Sequence, residues 1–132
     1  MAIPQVVAPI ASNINFNVES WDRLNEYDNL VGFSFTPRRA WYYAVMSQVA
    51  LIGTVAGAGN YHLIRIMVNG WPYSSSPLRE TGVVQTLYSF TETILYLTPN
   101  DTVTIEFHHV GVGNRTINAG EGVTFFTVQR VY

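Results

Sequence analysis

Tyr27-Asp28-Asn29-Leu30-Val31-Gly32-Phe33-Ser34-Phe35-Thr36-Pro37-Arg38-Arg39-Ala40-Trp41-Tyr42-Tyr43-Ala44-Val45 is the stretch that decides the fold. Asp28-Asn29 and Gly32 are turn residues, and Phe33-Ser34-Phe35 alternates apolar and polar side chains as a short strand does. Pro37 fixes φ and removes a backbone donor, which marks a corner. Beyond the exposed pair Arg38-Arg39, Trp41 opens an aromatic and β-branched run that continues to Thr54.

The same pattern repeats outward from this stretch. Ile14 to Val18 alternates strictly, and Tyr61 to Val68 closes on Asn69-Gly70, the pair best suited to a two-residue hairpin turn. Trp71 to Glu80 is rich in Pro and Ser and reads as an irregular connection. Further strands are expected at Val83 to Phe90, Thr93 to Leu97 and Thr102 to His109, with Thr98 to Asp101 as a turn. Val103, Ile105 and Phe107 share one face of the Thr102 to His109 strand. Gly111 to Gly122 reads as a Gly-rich loop, and Val123 to Val131 as a last strand tied into a sheet. Helical periodicity is almost absent; the one candidate, Glu19 to Tyr27, is short and polar. Eight or more short strands without a helical crossover predict an all-β, two-sheet antiparallel jelly-roll sandwich. The domain spans residues 14–132, preceded by an apolar N-terminal arm, residues 1–13.

The chain has 132 residues, 48% hydrophobic and 12% charged, with a formal net charge of -2. Soluble domains carry about a quarter charged residues, so part of this surface is expected to lie against other subunits. All seven basic residues are arginine, the cation favoured at interfaces. The acidic balance argues against a nucleic-acid partner. No cysteine is present for disulfides or thiolate metal sites. Residues 1–11 lack the pattern of a signal peptide, and no apolar run has membrane-spanning length.

Taken together, Tyr27-Asp28, Gly32, Phe33 or Phe35, Pro37 and Tyr42, then Asn69-Gly70, Leu95 to Val103 and Thr124 to Val128, resemble the jelly-roll superfamily of the complement globular head and tumour necrosis factor. The complement-head branch, with its bacterial and phage members, is the nearer resemblance. Ala40, Asn100 and Thr127 stand where that family prefers glycine. The resemblance implies a homotrimer, with Tyr42, Phe107 and Phe125 as candidates to line its interface.

No catalytic constellation can be argued. The serines lie in no nucleophile elbow, and adjacent His108-His109 point to opposite faces of a strand, so neither enzymatic activity nor a metal or other cofactor is expected. Asp28 and Asp101, at turns, are read as bonding local backbone. Trp71 and Tyr73 form the candidate ligand loop, able to stack on a sugar. Ile3, Val6, Val7 and Ile10 make the arm a candidate attachment element. The functional expectation is a non-enzymatic trimeric structural protein, a phage capsid decoration or cement protein. It would be made in the host cytoplasm and sit on the virion surface against a major capsid protein. The alternative is a trimeric receptor- or glycan-binding head of a fibre, spore or cell-surface protein.

Overall fold

In a computed structural model of the chain, the described residues are 5–16, 24–54, 61–79, 85–110, 114–120 and 123–131. They form eleven strands: β1 (Gln5–Val7), β2 (Ser12–Asn13), β3 (Tyr27–Asp28), β4 (Ser34–Phe35), β5 (Trp41–Thr54), β6 (Tyr61–Val68), β7 (Trp71–Arg79), β8 (Gln85–Leu97), β9 (Val103–Val110), β10 (Arg115–Ile117) and β11 (Phe125–Arg130). Every pairing is antiparallel. The first sheet runs β1-β10-β5-β11, with β8 along the other edge of β5. The second runs β3-β4-β9-β6-β7, with β2 also against β9. This is the jelly-roll sandwich expected from the sequence.

The core follows from alternation. Tyr43, Val45, Val49 and Leu51 of β5 point inward, as do Ile64, Ile66 and Val68 of β6 and Val103, Ile105 and Phe107 of β9. Phe107, wholly buried, is therefore the monomer's own core and not an interface residue, which corrects the expectation for it. Where β11 ends and β10 begins along β5, the ladder lapses and buried hydroxyls replace it. Ala50 N–H donates to Thr124 Oγ1 at 3.1 Å, and Ser47 Oγ donates to Phe125 O at 2.8 Å. Buried backbone groups need such partners.

Several expectations change. The Pro-rich connection after Gly70 is a nine-residue strand, β7. It is an edge strand, where the N–H missing from Pro72 and Pro77 need not interrupt a ladder on both sides. The two strands expected between Val83 and Leu97 are one in the described part, β8, which pairs with β5 along nearly its whole length. Part of the Gly-rich loop forms β10. Ile14 and Phe16 are buried but lie outside any strand; Ile14 N–H donates to Ile105 O at 2.9 Å. Leu24 to Glu26 are not helical, and the rest of the helix candidate, 19–23, lies outside the described residues.

The arm is not free either. β1 pairs with β10 and β2 with β9, so the described part of residues 1–13 belongs to the sheets. Val7 is buried, while Val6 and Ile10 face solvent; Ile3 lies outside the described residues.

Candidate functional site

The alternation that buries Tyr43 and Val45 turns Tyr42, Ala44, Met46 and Gln48 of β5 to the outside of the first sheet. The β5–β8 register then sets Tyr42 against Tyr96, Ala44 against Ile94, Met46 against Glu92, and Gln48 against Phe90. Tyr88 follows opposite Ala50. On the other edge, β11 sets Thr127 against Met46 and Phe125 against Gln48. Tyr42 is 56% exposed, Tyr96 58% and Ile94 63%, and Tyr88 and Phe90 are also exposed. The Tyr42 and Tyr96 rings meet edge to face, their centroids 5.1 Å apart.

Glu92 carries the only charge among these outward residues of β5, β8 and β11. Half-exposed rings of about 200 Å² each leave an apolar patch on the order of 500 Å², the size of the largest patch on a typical monomer and often functional. The outer face of the second sheet is more mixed, with Tyr61 and Val110 directly opposed and exposed toward one end and charged residues at its middle. Arg65 and Glu106 are directly opposed there and form an ion pair, with Thr104, His108 and Ser75 around them. The asymmetry makes the first sheet the candidate contact face.

Of the expected interface residues, Tyr42 and Phe125 stand on this face and Phe107 does not. Tyr88, Phe90, Ile94 and Tyr96 were not singled out from the sequence. Their signal was alternation along a continuous β8, which splitting that segment in two concealed. Trp71 and Tyr73 stand on β7, both exposed, with Trp71 opposite Val68 beside the hairpin turn.

The turns at that end are tightly built. Asn69 and Gly70 have φ of 52° and 81°, the two left-handed residues that such a hairpin requires. Asn69 Nδ2 donates to Asp101 Oδ1 at 2.7 Å, and Asn69 Oδ1 accepts from Thr102 N–H at 2.9 Å. Bonds from the Thr98 backbone, the Asn69 amide and the Thr98 hydroxyl hold the Asp101 carboxyl below the usual carboxylate range. Asp28 is held low by the N–H groups of Leu30, Val31 and Gly32. Both carboxylates thus bond their local turns. Among the described residues, no three metal-ligating side chains come together.

The fold is a two-sheet antiparallel jelly-roll sandwich, and a solved structure shares it. The solved structure of Eiger TNF from S. frugiperda matches it with a TM-score of 0.51 at 10% identity, over 76% of this chain and 65% of that one. The chain thus spans just under two thirds of that neighbour's length, and the likeness is one of fold. Comparison with protein-family models and with curated proteins returns no match.

Proposed function

We propose that the chain is a non-enzymatic structural protein that assembles as a homotrimer through the outer face of its first sheet. The observation that carries this reading is the aromatic patch of Tyr42, Tyr88, Phe90, Ile94 and Tyr96 with Glu92 as its one charge. A stable interface buries roughly 800 Å² per partner, which the patch approaches before Met46, Phe125 and the strand ends are added. The particular role that fits is phage-type capsid decoration, in which a trimer seats on a threefold position of a virion lattice against a major capsid protein. Low charge and the exclusive use of arginine support a protein that lives in contact with others.

The test is twofold. Light scattering of the purified chain is expected to give three times the monomer mass at micromolar concentration, and co-sedimentation with expanded capsid shells is expected to saturate. A monomer overturns the assembly. A trimer that leaves every shell preparation in the supernatant overturns the decoration role.

The second reading is a trimeric receptor- or glycan-binding head, favoured by the exposure of Trp71 and Tyr73 on β7. Saccharide binding on a glycan array that is lost in Trp71→Ala, with the trimer intact, would select it.

A further inference from the structure

The segment before β3, the β3–β4 loop and the corner at Pro37 enclose an open groove of about 830 Å³ at the β3 edge of the second sheet. Pro99, on the turn between β8 and β9, adds a further wall. Sites for small ligands span roughly 300–1,000 Å³. Tyr27, Leu30, Pro37 and Pro99 give this groove apolar planes. The side chains of Asn25, Asn29, Ser34, Thr36 and Arg38 line it beside the carboxylates of Glu26 and Asp28.

The walls are set before any ligand arrives. The Asp28 carboxylate accepts from the N–H groups of Leu30, Val31 and Gly32 at 3.0, 3.1 and 2.8 Å. A Cβ on Gly32 would stand 3.0 Å from both Asp28 Oδ2 and Ser34 Oγ, so the loop leaves little room for a side chain there. Glu26 O accepts from Thr36 N–H and Glu26 Oε1 from Arg38 N–H, both at 2.7 Å, which ties the Pro37 corner to the segment before β3. Asn25 and Phe33 hold φ of 53° and 47°. Left-handed backbone is an outlier for a side chain as bulky as phenylalanine, and such strain clusters at ligand sites.

The state of the polar groups points to the ligand. Both carboxylates already accept bonds from the protein's own backbone. By contrast, the side chains of Asn25, Asn29, Ser34, Thr36 and Arg38 form no hydrogen bond within the described residues. We propose that this groove is a binding site for a neutral saccharide. Two amides and two hydroxyls donate and accept alike, as the hydroxyls of a sugar do. The planar fork of Arg38 donates to two neighbouring oxygens at once, and the C–H face of a sugar ring suits Tyr27, Pro37 and Pro99. A compact anion such as phosphate would meet the carboxylate of Asp28 as well as Arg38, which disfavours it. No residue of β7 lines the groove, so the site is distinct from Trp71 and Tyr73, and it does not depend on trimer assembly.

Titration calorimetry and saturation-transfer NMR of the full chain test this against glucose, galactose, mannose, N-acetylglucosamine and their disaccharides. Saturable binding of at least one is expected. Asn29→Ala and Arg38→Ala should each weaken it about tenfold, the effect of about 1.4 kcal/mol for one lost hydrogen bond. Their melting temperatures should stay unchanged, because neither side chain bonds the described protein. If either variant melts early, Ser34→Ala decides, as the smaller change. Trp71→Ala should leave binding intact. No binding across the panel overturns the proposal, as does binding of inorganic phosphate or a mixed peptide library alone. Affinity unaltered by Asn29→Ala and Arg38→Ala overturns it too, and binding lost in Trp71→Ala moves the saccharide to β7.

Discussion

Tyr42 and Tyr96 meet across the β5–β8 ladder on the outer side of the first sheet, edge to face at 64°. The pair stands in solvent rather than in the core, yet its geometry is that of packed aromatics. It anchors one end of the patch that continues through Ile94, Phe90 and Tyr88. Its exposed rings are what a partner surface would cover.

Ile94→Arg sets a guanidinium in the middle of that patch, beside Ala44. A buried unpaired charge costs several kcal/mol, so the trimer dissociation constant should rise at least about a hundredfold, roughly 2.7 kcal/mol. Analytical ultracentrifugation should then find monomer, with the far-ultraviolet spectrum unchanged. A trimer that persists would place the contact elsewhere.

Phe107→Ala should act on the fold. Removing a fully buried phenylalanine costs about 3–5 kcal/mol, read as a lower denaturation midpoint. Tyr42→Ala, on the exposed face, should change the midpoint of the isolated chain by less than about 1 kcal/mol. Equal effects would contradict the core position of Phe107.

The turn latch makes two measurable statements. Asn69→Ala removes both bonds to the Asp101–Thr102 turn and forces alanine to φ of 52°, costing about 2 kcal/mol. The Asp101 carboxyl is held low in the fold, so its stabilisation is complete above the open-chain value near 3.9 and is lost as pH falls through the lower folded value. Asp101→Asn should flatten the stability profile below about pH 4. An unaltered acid profile would show that the bonds to Asn69 and Thr98 do not depend on charge.

Deleting residues 1–13 should destabilise the sandwich. The deletion takes Val7 from the core, strips β10 of its neighbour and removes the Gln5 bonds to Asn13 O and Asn15 N–H. Thermal melting is expected to fall by several degrees, about 1–3 kcal/mol for the side chain of Val7 alone. An unchanged melting temperature would return the arm to the status of a free appendage.

What could be read in the residues was decided by strict alternation and by turn chemistry. β5 and β6 have the bounds their β-rich runs predict, and Asn69-Gly70 makes the hairpin because both residues adopt positive φ. β7 was hidden by Pro72 and Pro77, which an edge strand accommodates and a central strand does not. β8 was hidden by polar Thr91, Glu92 and Thr93 in its middle, a break in hydrophobicity but not in pairing, because β5 runs opposite all three. β10 is three residues within a Gly-rich segment, and it exists only because β1 and β5 flank it.

By itself the sequence determined the class of fold and most of the core, since a period-two pattern admits one inward face per strand. Which apolar residues face outward only the tertiary structure decided. Phe107 and Phe90 look alike along the chain. Register against β6 and β5 buries one in the sandwich and leaves the other on its surface. A one-residue slip in pairing would exchange such faces, and register is fixed by contacts between strands far apart in the chain.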